Sequence, residues 1–165
     1  MEPDMESLFN TGWNGKSSYA PLAERMRPVS LEEICGQEAA VGKGSFLRAM
    51  IEKDSVPSLL LFGPPGCGKT TIADVIAKVT RSVFIKLNAT SSGAAEIRKV
   101  IAEAKEQQQY YGCRTIVFID EIHRFNKGQQ DLLLPYVEDG TIVLIGATTE
   151  NPFFEVNAPL RSRLR

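Results

Sequence analysis

Apolar residues recur along this chain in two alternating periods. The run Leu59, Leu60, Leu61, Phe62 is apolar without interruption, the pattern of a parallel strand covered on both faces. The period then changes. Ile72, Val75, Ile76 and Val79 repeat at the i, i+3, i+4, i+7 spacing of one helix face. The exchange repeats downstream. Val83 to Leu87 reads as a second strand, and Ile97, Val100, Ile101 and Ala104 mark a helix face that stops at Gly112. Thr115 to Ile119 reads as a third strand, about 127–137 as a helix perturbed by Pro135, and Thr141 to Ala147 as a fourth strand. Strands alternating with helices predict an α/β fold built on a parallel sheet.

The first third of the chain is less regular. Residues 21–37 hold a short helical turn and a loop. Gly42 and Gly44 then open a helix through Lys53, with Phe46, Leu47, Met50 and Ile51 on one face. Residues 1–20 are polar, rich in Gly, Ser and Asn, and without periodicity, the composition of a mobile arm. One domain over 21–165 is the expectation, and 165 residues suffice for one core.

Composition narrows the function classes. No apolar run approaches the roughly 20 residues that a membrane helix needs, so no membrane partner is expected. Met1 to Asn10 carries Glu2, Asp4 and Glu6 and no basic residue, unlike a secretory signal or transit peptide. Cys35, Cys67 and Cys113 are too few and too scattered for a metal site or a disulfide framework, which suits a reducing cytosol. The net charge of −1 gives no compositional support for nucleic-acid binding. A DNA-binding surface would be local, or lie outside this chain.

The strongest chemical signal is GPPGCGKT at 63–70, directly after a buried strand and at the start of a helix. It matches the phosphate-binding P-loop pattern. Gly63, Gly66 and Gly68 let the backbone curl, and Pro64, Pro65 and Cys67 complete the loop. Several N–H groups then converge on one anion above the positive end of a helix dipole. Lys69 adds a full charge near the outer phosphates, the Thr70 hydroxyl can ligate magnesium, and Thr71 continues the helix start. ATP and Mg2+ are the cofactors this pattern predicts.

A second signal is the strand Ile116 to Ile119 ending in Asp120 and Glu121. Ligand sites in open α/β sheets lie at the carboxyl ends of strands. Asp120 would hold magnesium through water, and Glu121 would orient and deprotonate the attacking water. Lys69 and Asp120 stand far enough apart for two strand–helix crossovers, with no room for an inserted domain. Asn88, just past the second strand, either holds the Glu121 carboxylate away from the water or serves as a turn or cap residue. Thr148 and Thr149 end the fourth strand, where a hydroxyl could read the γ-phosphate. Arg161, Arg163 and Arg165 crowd the C-terminal end. His123, the one histidine, invites a DExH-helicase reading of DEIH. A first-turn helix residue facing solvent or packing locally is favoured instead, since a second motor domain has no room.

Together these residues resemble the AAA+ ATPases, and more closely the replication-associated recombination protein A family, which includes the Werner helicase-interacting proteins. The segments that carry the resemblance are PLAERMRP at 21–28, GQE at 36–38, the P-loop, FIDEIHRFNKGQQDLLLPYVEDG at 118–140 and LIGATTENPFFEVNAPLRSRLR at 144–165. The resemblance implies an ATPase acting on forked or single-stranded DNA at stalled or damaged replication forks. It implies Gly36 and Gln37 as the adenine-side contact, Asn88 as the switch that restrains Glu121, and Thr149 or Thr148 as a sensor. Arg163 would be the finger that acts on the next subunit of a homo-oligomer. The implied sheet order is 5-1-4-3-2, with the chain truncated before the fifth strand and the helical lid. A single-stranded-DNA-binding protein or a sliding clamp is a further implied partner, and the implied location is the cytoplasm, associated with the nucleoid. Glu6, Ser7, Leu8 and Phe9 faintly resemble a clamp-binding peptide. The nearest alternatives are a clamp-loader subunit, a branch-migration motor, or a nucleotide-binding module without turnover.

Overall fold

The computed structural model describes residues 21–165. The proposed arm over 1–20, with the segment Glu6 to Phe9, lies outside the described residues. Four parallel strands form one sheet: β1 (Leu59–Phe62), β2 (Val83–Asn88), β3 (Thr115–Asp120) and β4 (Ile142–Thr148), in the order β1-β4-β3-β2. The larger helices are α3 (Phe46–Glu52), α4 (Lys69–Val79), α5 (Ala94–Tyr111) and α6 (Lys127–Glu138). Short helices α1 (Leu22–Arg25) and α2 (Glu38–Val41) precede them, and α7 (Pro152–Glu155) and α8 (Ala158–Arg161) follow β4.

The central strand β3 shows how an unbroken apolar run builds two cores. Its side chains alternate between the faces of the sheet. Ile116 and Phe118 pack with Ile72, Val75 and Ile76 of α4 and Leu47 and Ile51 of α3. Val117 and Ile119 pack with Ile97, Val100, Ile101 and Ala104 of α5 and Leu133 of α6. Each face therefore demands an apolar residue. Phe118 is fully buried, and truncating such a side chain costs about 3–5 kcal/mol.

The expected helix faces hold with two exceptions at their ends. Phe46 is 52% exposed, with the Arg165 guanidinium 5.2 Å from its ring centroid, and Val79 is also exposed. The second strand runs one residue further than its apolar run, because Asn88 still pairs with Asp120 in the β2–β3 register. At the other edge of the sheet, the Leu60 amide donates to the Arg165 carbonyl at 2.8 Å, and the Arg165 amide donates to the Ser58 carbonyl at 3.1 Å. The main chain of Arg165 thus bonds along the edge of β1 not paired with β4.

Parallel registers bring the carboxyl ends of the strands level. Phe62 aligns with Thr148, Ile119 with Gly146, and Asn88 with Asp120. Gly146 matters for space. A Cβ there would stand 3.0 Å from Leu60 Cδ1 and 3.1 Å from Ile122 Cδ1. Its absence lets the turn after β3 settle onto β4.

Candidate nucleotide site

The P-loop leaves β1 at Phe62 and enters α4 at Lys69. Its glycines serve two needs. Gly66 and Gly68 have φ of +77° and +93°, the left-handed region that side chains resist. Gly63 serves for space, since a Cβ there would meet Cys67 Sγ at 2.7 Å. The loop is tied on three sides. The Gly63 amide donates to the Thr148 carbonyl at 3.2 Å, Lys69 Nζ donates to the carbonyls of Gly63 and Pro64 at 2.7 and 2.9 Å, and Gln37 Nε2 donates to the Cys67 carbonyl at 2.9 Å. Cys67 Sγ lies 3.6 Å from Lys69 Nζ.

A cleft of about 320 Å³ opens beside this loop, lined by Pro65, Gly66, Gly68, Lys69, Thr70, Thr71, Asp120, Glu121 and Thr149. Residues from the ends of β1, β3 and β4 thus face one space. The donor set fits a magnesium–triphosphate group: backbone amides of a left-handed glycine loop, an ammonium, a hydroxyl and a carboxylate share that space. Among the described residues no cluster of three or more His, Cys, Asp or Glu could hold a metal by itself. Thr70 and Asp120 would therefore share the ion with phosphate oxygens.

Asp120 and Glu121 are ordered by local bonds. The Glu121 amide donates to Asp120 Oδ1 at 3.1 Å. Glu121 has φ +56° and ψ 41°, a left-handed conformation that costs a non-glycine residue about 1–2 kcal/mol. A 3-10 turn over Ile122–Arg124 follows. It turns His123 inward, so the solvent-facing expectation needs correction, while the alternative of local packing holds for the contact with Glu121 and is extended by one with β4. His123 Nε2 lies 3.1 Å from Glu121 Oε2, and its Nδ1 lies 2.8 Å from Thr148 Oγ1. Its side chain is only 7% exposed. The only sequence signal for this role was the letter H in DEIH.

The two threonines separate. Thr149 lines the cleft. Thr148 is fully buried, and its hydroxyl faces His123 and accepts from the Glu150 amide at 3.0 Å. Asn88 stands level with Asp120, but its Oδ1 accepts from the Thr90 amide at 2.9 Å and the Thr90 hydroxyl at 2.6 Å. Among the described residues, His123 and not Asn88 bonds the Glu121 carboxylate.

Gly36 and Gln37 do not line the cleft. Gly36 takes φ +82°, and Gln37 reaches the P-loop from the rear through Cys67. The neighbouring residues Leu31, Ile34, Glu38, Val41, Lys43 and Arg48 border a separate hollow of about 580 Å³. Arg48 and Glu32 pair with each other at its border. Bonds to Glu52 and then Glu32 raise the Arg48 guanidinium above its ordinary range, and Glu32 is lowered by its own backbone amide and by Arg48.

The three C-terminal arginines have different surroundings. Arg161 Nη1 donates to the carbonyls of Pro152, Phe153 and Val156, which fixes the α7–α8 corner. Arg165 covers Phe46. Arg163 is exposed, and its head pairs at 3.2 Å with Glu138, itself well exposed. A buried residue supports this corner. Gln130 Nε2 donates to the carbonyls of Phe125 and Glu155, while its Oε1 accepts from the Asn157 amide at 2.7 Å. Sequence reasoning missed Gln130, which stood only as one letter of a matching segment.

Comparison with known proteins agrees with this geometry. Residues 59–165 match the model of the ATPase family associated with various cellular activities (AAA). The chain is 50% identical over 149 residues to replication-associated recombination protein A of Escherichia coli K12, covering 90% of this chain and 33% of that protein. It is 48% identical over 159 residues to the Haemophilus influenzae protein of the same name, covering 96% of this chain and 35% of that one. It is 48% identical over 150 residues to the ATPase WRNIP1 of Dictyostelium discoideum, covering 91% and 17%. The chain thus spans about a third of the bacterial relatives' length. Among solved structures, the Thermotoga maritima RuvB Holliday junction branch migration motor superposes with a TM-score of 0.67 at 33% identity, over 84% of this chain and 46% of that one. With a P-loop, an acidic strand end and a threonine from β4 facing one cleft, and with the family model matched from β1 to the last residue, the chain belongs to the AAA family of ATPases.

Proposed function

We propose that this chain is the ATP-binding and ATP-hydrolysing domain of a DNA-dependent ATPase that acts at stalled or damaged replication forks. The observation that carries the reading is the convergence of Lys69, Thr70, Asp120, Glu121 and Thr149 on one cleft. The similarity to replication-associated recombination protein A supports the assignment to forks.

The P-loop amides and Lys69 bind and orient the phosphates. Thr70 and Asp120 hold magnesium, which when bound neutralises charge on the phosphate oxygens. Glu121 orients the attacking water and accepts its proton. Thr149 senses the γ-phosphate. Arg163, exposed at the surface, is the finger presented to a neighbouring copy in a homo-oligomer. Gly36 and Gln37 shape the adenine side, and Asn88 acts as a switch near Glu121. DNA, forked or single-stranded, is the partner. A single-stranded-DNA-binding protein or a sliding clamp is a further one, in the nucleoid-associated cytoplasm. Among the described residues no helix is long and apolar enough to cross a membrane.

The likeness to the RuvB motor favours a second reading, a branch-migration motor of the same superfamily. ATP hydrolysis measured with forked DNA, Holliday junctions and no DNA separates the two. Stimulation by forks alone supports the first, and stimulation by junctions alone overturns it. For the chain by itself we expect nucleotide binding with weak hydrolysis, because a finger in trans needs a neighbour.

A further inference from the structure

We propose that His123 is a positioning residue that fixes the Glu121 carboxylate and ties it to β4. The inference rests on Glu121 being the base. A glutamate side chain at the mouth of a cleft turns freely unless something holds it, and Glu121 is 32% exposed. One of its oxygens, Oε2, meets His123 Nε2 at 3.1 Å. A carboxylate has no proton to give, so Nε2 is the donor. In the neutral ring Nδ1 then accepts from the Thr148 hydroxyl at 2.8 Å, a shorter contact than the 3.3 Å to the Glu150 carbonyl that competes for the same proton. With both nitrogens engaged and only 7% of the side chain exposed, the ring is a rigid strut.

Its anchors are rigid as well. Thr148 is fully buried in β4, and Ile122 packs into the space left by Gly146. The residue after Thr148 is Thr149, which lines the cleft. The base and the threonine that faces the phosphate are therefore joined through one imidazole. Among the described residues Asn88 makes no such bond: it accepts from Thr90 through its oxygen, and no bond runs from its side-chain nitrogen to Glu121.

The chain has a single histidine, so one set of ring signals reports the strut. In nitrogen-15 imidazole spectra of the chain at pH 8, the proton should sit on Nε2. Glu121→Gln and Thr148→Val should each shift the ring signals. In the whole protein, His123→Ala should lower the single-turnover hydrolysis rate on the order of tenfold to a hundredfold, the scale of a misplaced reacting group. Affinity for ATPγS should stay within about twofold. His123→Gln keeps a donor toward Glu121 and should recover part of the rate, whereas His123→Asn, reaching only toward Thr148, should not. If His123→Ala fails to fold, Thr148→Val must still slow hydrolysis. A wild-type rate for a folded His123→Ala or for Thr148→Val, equal rescue by Asn and Gln, or a proton on Nδ1 overturns the proposal. Glu121→Gln separates the two levels. If it hydrolyses at the wild-type rate, the assignment of the base is wrong. If it is inactive while His123→Ala is fully active, only the strut is wrong.

Discussion

Gln130 joins two stretches that lie far apart in sequence: its side-chain oxygen accepts from the Asn157 amide at 2.7 Å, while its nitrogen serves the carbonyls of Phe125 and Glu155. The residue is 2% exposed, so its own amide cannot turn to water instead. Gln130→Leu should destabilise the fold by about 2–4 kcal/mol, because it strands two carbonyls and one amide. Denaturant unfolding followed by circular dichroism reads the change. A loss below about 0.5 kcal/mol would show that water replaces the amide.

Lys69→Ala should weaken ATP binding by about 10- to 100-fold, the worth of one charge-assisted bond to phosphate. Titration calorimetry with magnesium present measures it. Equal affinity for wild type and variant would remove Lys69 from the site.

Glu121→Gln keeps the shape of the side chain and removes its basicity. In the whole protein it should bind ATP normally and hydrolyse it at least a hundredfold more slowly, within the usual range for a lost general base. Asp120→Asn should in addition raise the magnesium concentration needed for half-maximal binding. An unchanged magnesium requirement would argue that Asp120 does not hold the ion.

Arg163→Ala should lower turnover in an oligomer by about 10³-fold, with nucleotide affinity nearly intact. Mixing it with Glu121→Gln should restore some activity, since one interface in a mixed oligomer would hold both an intact base and an intact finger. Absence of recovery in proven mixed oligomers would place the action of Arg163 within its own subunit. Robust hydrolysis by the isolated monomer would remove the need for a finger.

The elements were legible wherever burial imposed a period. The α5 face Ile97, Val100, Ile101, Ala104 is wholly buried, and Gly112 ends that helix at φ +63°. The cleft was legible because a P-loop after a strand and carboxylates at a strand end can only meet on one edge of a parallel sheet. Contacts made by single polar residues were not legible. His123 meets a hydroxyl 25 positions on, and Gln130 meets an amide 27 positions on, separations that leave no local pattern. Phe46 was misplaced because its helix spacing suits the core, whereas the ring is half exposed and lies under the Arg165 guanidinium.

The left-handed backbone at Glu121 sets shape against chemistry at one position. By conformation alone, φ +56° selects glycine, which adopts it without strain. Glutamate there carries a main-chain strain that glycine would not, while its carboxylate gives the buried His123 Nε2 an acceptor. Glu121→Gly would relieve the backbone and leave that N–H unpaired, so conformation and side-chain bonding at 121 pull the stability of the domain in opposite directions.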